Sequence, residues 1–440
     1  MDITLNSYTY IIVVCIVIIL SFLYNAFSER TNIPSVILLI GTGILIKLGM
    51  DAMQFQEDLF PILEVLGIVG LIMIVLEAAL DLELTKEKLP AIGNAFVIAL
   101  LGLFASTGAC AAIIYYLVEG MTWMSAFIYA TPLSILSSAI IIPSVGNLVQ
   151  EKKEFHVYES TFSDILGIMQ FYFLQGMQEA ENTQNAVIEF VGTFGLTLLI
   201  SLVASYILIF LFQNITSHVK LFVLIAILIL LYAVGKQQHL SSLIIILIFG
   251  LVMSNSHIFF RGKLKEWLKP DALKHIREDF HIVTVESAFL VRTFFFVIFG
   301  ITISLATLWS LDVLLISMSI LASIYVVRFI FLRLFLSSDI NPQLYIAPRG
   351  LITVLLFFGI PAELQVEAFN PGILLFIIIA TSIVMTFALI ADGRKRSALG
   401  KDTAAASMVI PPDQIYKGFK SQMMEKEYSE PGKLGSGLKE

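Results

Sequence analysis

The chain has 440 residues, 58% of them hydrophobic and 14% charged, where a soluble domain carries roughly 45 to 50% and about 25%, so a soluble multidomain protein is excluded. Its 27 lysines and arginines against 34 aspartates and glutamates leave a net charge of −7, without the basic excess that a nucleic-acid partner requires. Cys15 and Cys110 lie within apolar runs and offer neither a disulfide framework nor a CxxC motif, and with no Walker A or GxGxxG pattern no cofactor is expected and any transport is secondary or passive.

A bilayer core of about 30 Å needs roughly 17 to 25 apolar residues per helix. Thirteen such segments follow one another, at 9 to 27, 33 to 50, 58 to 80, 92 to 118, 122 to 149, 157 to 178, 186 to 213, 218 to 234, 240 to 254, 282 to 305, 308 to 336, 345 to 362 and 371 to 391. The first reads as a retained anchor, because no basic region precedes it and no small-residue cleavage site follows it. Alternate loops differ in basic charge. One set holds Arg30, Lys86, Lys88, Lys152, Lys153, Lys220 and a run from Arg261 to Arg277, joined by Arg394, Lys395 and Arg396 after the last span; the other holds little beyond Lys47 and Lys236. Lysine and arginine collect in cytoplasmic loops, so the expected topology is multi-pass, with the N-terminus outside and the C-terminus inside. The absence of a targeting segment points to a plasma membrane of the bacterial inner-membrane kind.

Two segments lie outside the spans. Residues 262 to 281 alternate Leu264, Trp267, Leu268, Leu273, Ile276 and Phe280 with basic groups, which suits an interfacial helix broken at Pro270 or a plain linker. Residues 397 to 440, with Pro411, Pro412 and several glycines among many charges, read as a disordered cytoplasmic tail. The membrane domain is then residues 1 to 396.

A charge at the centre of a membrane helix costs about 2.5 to 3.5 kcal/mol even on insertion scales, so each one is a functional candidate. The spans hold Glu77, Glu159, Asp164, Glu286, Arg292, Arg328, Arg333 and Arg349. Asp164 lies roughly 10 Å into the sixth span at 1.5 Å per residue, too deep for a short side chain to reach water. Glu159 and Arg328 lie at depths that allow an ion pair, with a structural bridge and a transport role about equally open. Glu77 is the one acid of the LEAALDLEL stretch deep enough to matter. His156, His218, His275 and His281 have no zinc-like spacing and read as solvated loop histidines.

The fifth span carries Pro132, Ser137, Ser138, Pro143 and Gly146, and the twelfth carries Pro348, Gly350 and Pro361. An offset of seven spans reverses direction across the membrane, as expected of inverted repeats with discontinuous helices at a midplane site. The repeats would run over about 9 to 178 and 218 to 391, with 186 to 213 as the linking helix. Freed carbonyls and the hydroxyls of Ser137 and Ser138 suit a small hard cation, which prefers oxygen ligands.

These motifs resemble the monovalent cation:proton antiporter superfamily, the sodium/proton exchangers, from about Ser28 to Ala391. Glu159-Ser160-Thr161-Phe162-Ser163-Asp164 looks like that family's glutamate-serine-x-x-asparagine-aspartate motif. The match implies that Asp164 carries the ion, that Ser160 supports a bound Na⁺ beside it, and that Ser163 occupies the place of the motif's asparagine. Arg349-Gly350 looks like the arginine-glycine motif of the second broken helix, and Arg328 resembles the arginine that pairs with the motif's glutamate. SERTNIPSVILLIGTGILI, Glu77 in LEAALDL and FFFVIFGITI add less specific support. Two departures stand out: serine at 163, where the family's branches have asparagine or a second aspartate, and Ser137-Ser138-Ala139 where the electroneutral branch has threonine-aspartate-proline.

The resemblance implies an all-α membrane protein with two inverted six-helix repeats and crossed discontinuous helices, and a homodimer in the bilayer. It implies antiport of Na⁺, or of Li⁺ or K⁺, against H⁺ in pH homeostasis. Cation and proton would compete for Asp164, and a single carboxylate in the pair position implies electroneutral exchange. The alternative is a transport-inactive ion or pH sensor on the same fold, supported by the two departures; a passive channel lacks a filter loop, and an enzyme lacks a nucleophile, base and orienter cluster.

Overall fold

A computed structural model describes residues 7–31, 33–52, 59–82, 84, 88–179, 183–215, 220–238, 242–261, 266–302, 310–336 and 340–407. Among them the chain is helical, without a strand. In order the helices are α1 (Ser7–Thr31), α2 (Ser35–Ala52), α3 (Phe60–Asp81), α4 (Leu89–Leu117), α5 (Trp123–Ser134), α6 (Ser138–Ser144), α7 (Gln150–Glu179), α8 (Thr183–Phe212), α9 (Lys220–Gln237), α10 (Ser242–Ser254), α11 (Ser256–Phe259), α12 (Pro270–Thr302), α13 (Leu311–Phe335), α14 (Leu351–Phe358) and α15 (Gly372–Ser407). Ten helical stretches among the described residues are long and apolar enough to cross a bilayer, with α5 and α6 taken together. The other three segments expected from hydropathy coincide with α7, whose N-terminal half is rich in polar residues, with α10, which has 13 residues, and with the broken stretch around α14, which has 8.

Local chemistry sets the helix ends. Pro61 and Pro90 open α3 and α4, where a missing amide hydrogen costs nothing. The side chains of Thr122 and Ser310 accept from the amides of Ser125 and Val313 and so cap α5 and α13. Gly120, at φ +77°, makes the left-handed turn between α4 and α5 that a side chain would oppose.

Two expectations are corrected. Pro270 does not break a helix on the membrane surface; it starts α12, which runs uninterrupted to Thr302, because proline fits the first helical turn and only disrupts an interior one. Of the neighbouring residues, 262–265 lie outside those described. The last helix continues to Ser407, past residue 397 where the tail was expected to begin, and residues 408–440 also lie outside the described set.

The helices sort into two packing sets. In one, α4 packs on α5, α7 and α13, and α7 also touches α5 and α6. In the other, α12 packs on α2 and α3, and α10 on α3, α8 and α9. In lipid, helix association gains little from hydrophobicity and depends on close backbone approach. The α2–α12 pair shows this: a Cβ on Gly43 would run into the carbonyl of Val297, and one on Gly300 into that of Ile40. The sets meet where α14 and α7 contact α3 and where α14 contacts α12.

The backbone is interrupted twice inside the bundle. Ile135 and Ser137 are extended between α5 and α6, and the chain from Ile346 to Gly350 is non-helical before α14. The interruptions cross, with the Ser137 amide donating to the Pro348 carbonyl at 3.0 Å. Non-helical backbone at this depth is tolerated only where protein groups satisfy it.

Gly43→Leu is expected to overpack the α2–α12 contact at a cost of about 1 to 3 kcal/mol. The purified variant should unfold at a lower temperature than the parent, read by intrinsic fluorescence on heating, while Gly49→Leu, which meets no atom within 4 Å, should not.

Candidate functional site

The crossing is built from side chains that replace the hydrogen bonds lost at each break. The Leu136 amide donates to Ser163 Oγ at 3.0 Å. Arg349, 1% exposed, donates from Nε to the Leu133 carbonyl at 2.7 Å and from Nη1 to the Ala347 carbonyl at 2.8 Å. Its own amide donates to Thr381 Oγ1 on α15 at 3.1 Å. The guanidinium therefore sits at the C-terminal end of α5, where the helix dipole is negative, and satisfies carbonyls on both interrupted segments. Gly350 lies so close to the other break that a Cβ there would collide with Ser137 Oγ and crowd Ile140.

Asp164 lies on α7 directly behind this crossing and is 3% exposed. Its carboxylate faces the hydroxyl and amide of Ser138 at the start of α6, yet neither oxygen closes a hydrogen bond within the protein. The Ser138 hydroxyl is also buried and without a hydrogen-bond partner. Ser160, one turn before Asp164, donates to the His156 carbonyl at 2.7 Å, which leaves its oxygen lone pairs available. Thr161 Oγ1 is likewise buried without a partner. Buried polar atoms are normally hydrogen-bonded, so a dense group of unsatisfied oxygens calls for an explanation.

Glu159 and Arg328 form a bidentate pair, with Arg328 Nη1 and Nη2 donating to the two carboxylate oxygens at 2.8 and 2.9 Å, and Arg328 Nε donating to the Gln343 carbonyl at 3.0 Å. This pair links α7 to α13 and to the second break, and Arg328 is thereby engaged with Glu159. His156 is corrected from a solvated loop residue: it is wholly buried on the first turns of α7, with Nδ1 3.2 Å from Glu159 Oε2 and Nε2 without a partner. The helix begins seven residues earlier than hydropathy placed it, since charged side chains at its inner end hide the helical period. A small cavity of about 30 Å³ is lined by Glu159, Arg328, Arg349 and Ser163 but not by Asp164, so it belongs to the scaffold behind the carboxylate.

On the other packing set, Glu77 of α3 is 9% exposed and lies 3.7 Å from Arg292 of α12. Arg292 also reaches the Ala139 carbonyl of α6 at 3.3 Å, so it bridges Glu77 to the residue next to Ser138. Sequence reasoning placed Arg292 in a span but gave it no role; the only signal was its depth. One turn along, Asp81 pairs with His281 at 2.7 Å. Among the described residues no group of three or more His, Cys, Asp or Glu side chains converges as a metal site.

Breaking a buried ion pair by removing one partner costs about 3 to 5 kcal/mol, because the other charge remains buried. Glu159→Gln and Arg328→Gln are each expected to lower the thermal unfolding temperature sharply, and the double variant by less than the sum; strict additivity in that cycle would refute coupling between them. Ser163→Ala, which strands the Leu136 amide, should cost about 1 to 3 kcal/mol, with Ser163→Asn recovering part of it in the same unfolding measurement.

The family model described as sodium/hydrogen exchanger, transmembrane, matches residues 16–392. Among solved structures, that of the sodium proton antiporter MjNhaP1 from Methanocaldococcus jannaschii at pH 8 superposes with a TM-score of 0.62 at 21% identity, covering 86% of this chain and 94% of that one. An electron-microscopy map of the same antiporter gives a TM-score of 0.63 at 19% identity over 90% and 98% of the two chains. No curated protein matches the sequence significantly.

Proposed function

The chain belongs to the sodium/hydrogen exchanger family, a family of membrane transporters, and we propose that it exchanges a monovalent cation, Na⁺ before Li⁺ or K⁺, for H⁺, with Asp164 as the shared binding group. The observation that carries this reading is the buried Asp164 carboxylate, unsatisfied within the protein and facing the equally unsatisfied Ser138 hydroxyl. A carboxylate in that setting gains from taking up either a proton or a small cation, and it cannot hold both.

That competition is the coupling. A proton on Asp164 neutralises it for one passage, and the cation neutralises it for the return. Only one carboxylate changes state, so the exchange moves one charge each way and is electroneutral. Arg328 and Arg349 are held by Glu159 and by backbone carbonyls, which supports a site whose charge is set by Asp164. Ser138 and Ser160 offer oxygens to the cation; Ser137 lies at the crossing, and Glu77 serves the site through Arg292. Ser163, bonded to the Leu136 amide, maintains the break while Asp164 keeps its carboxylate, which supports exchange over a transport-inactive sensor.

The two broken segments read as equivalent parts of inverted repeats, and alternating access moves the set carrying Asp164 against the set carrying Glu77 and Arg292. The working form is a homodimer in a plasma membrane, its C-terminus cytoplasmic, and its role is pH homeostasis.

Proteoliposomes with a trapped pH dye test this. Cation-driven recovery should vanish in Asp164→Asn, persist with an increased apparent KM in Ser138→Ala, and ignore the membrane potential when it is clamped. Because protons compete, apparent KM for the cation should rise in proportion to proton concentration as pH falls through the titration of Asp164, at unchanged maximal rate. No exchange by the parent with any of the three cations would favour the sensor, and a potential-dependent rate would overturn electroneutrality.

A further inference from the structure

The end of α10, α11 and the start of α12 line a second pocket, well removed in sequence from the crossing. It has a volume of about 590 Å³ and opens to the surface. Its floor is apolar, with Met253, Phe260 and Leu273 all buried. Its other walls hold four basic side chains, His257, Arg261, Lys274 and Arg277, and no carboxylate among the described residues. Arg277 also reaches the Ser254 carbonyl at 3.4 Å, which holds the end of α10 to α12, and Lys274 makes only a loose exposed contact with Glu278 at 3.9 Å.

The pocket is held open by fixed geometry. Gln213, just beyond α8, donates to the Trp267 carbonyl at 2.8 Å and accepts from the Lys269 amide at 2.9 Å, and Lys269 Nζ donates to Asn214 Oδ1 at 2.7 Å. These bonds pin the turn that precedes α12. Beside it Trp267 is 62% exposed, with its ring 6.1 Å from that of the exposed Phe210. An exposed tryptophan and a group of lysines and arginines at the ends of apolar helices mark the level of lipid headgroups. The basic loops place this level on the cytoplasmic side.

We propose that this pocket binds the phosphate headgroup of an anionic glycerophospholipid, its charge against Arg261 and Lys274 and its glycerol and upper acyl carbons over Met253, Phe260 and Leu273. The charge complementarity is one-sided among the described residues, whose lining holds no acid to repel the phosphate. Basic pockets between membrane helices on the cytoplasmic side take such headgroups, at about 1 kcal/mol per lysine or arginine. A free anion would use the cations but not the apolar floor, and would not require a pocket at headgroup level. This site stands independently of the exchange reaction.

Native mass spectrometry of the full-length protein, with phosphatidylglycerol or phosphatidylcholine added at equal concentration, reads the site directly. The parent should retain phosphatidylglycerol in preference, and Arg261→Gln/Lys274→Gln should weaken that retention by on the order of tenfold to thirtyfold. Lys47→Gln, which removes a charge on the opposite side, should not change it. Thermal unfolding gives the second reading: phosphatidylglycerol should stabilise the parent more than the double variant, and inorganic phosphate should stabilise neither. Equal retention by parent and double variant would overturn the proposal, as would stabilisation by inorganic phosphate equal to that by the lipid, which would make this a free-anion site.

Discussion

Inside a bilayer no water is present to satisfy a freed peptide group, and this single constraint explains most of the site. Two helices stop within the apolar bundle, and each stop releases carbonyls and amides that must find protein partners. Arg349 takes the Leu133 and Ala347 carbonyls, Ser163 takes the Leu136 amide, and the breaks pair with each other through Ser137 and Pro348. The charged and polar residues of these spans are thus partly structural, and among the buried oxygens they leave without a partner are those of Asp164 and Ser138.

The same constraint separates the carboxylates. Glu159 and Asp164 lie five positions apart on one helix, yet Glu159 is held by a bidentate guanidinium and a histidine, whereas Asp164 faces a lone serine. The two carboxylates thus sit in different environments, one paired with a guanidinium and the other set against a serine. Glu77 occupies a third condition, loosely paired with Arg292 at the junction of the two packing sets.

Much of this was legible in the sequence. Depth along a span singled out Asp164, because insertion energetics make a mid-span acid rare, and prolines with glycines marked both breaks. The positions of the helices followed from hydropathy except where polarity masked them. His156 was misread because the inner end of α7 carries so many charges that no apolar period shows there. Pro270 was misread because proline signals either a break or a beginning, and only the packed helix distinguishes the two. Ser163 reads in sequence as a departure from the family motif, and its hydroxyl accepts from an amide in the break between α5 and α6, a pairing 27 residues apart that no local pattern encodes. Arg292 had a known depth but no visible partner, since its contacts lie on α3 and α6.

The lengths of the polar contacts around the site divide unevenly. Those that hold Arg349, Arg328 and Ser163 around the two breaks fall between 2.7 and 3.1 Å, while Arg292 reaches Glu77 of α3 and Ala139 of α6 at 3.7 and 3.3 Å. In mechanical terms the carboxylate is mounted on a stiff block, and the seam beside it is the compliant joint. Strain applied across the bundle would be taken up at Arg292 before it reached the geometry around Asp164.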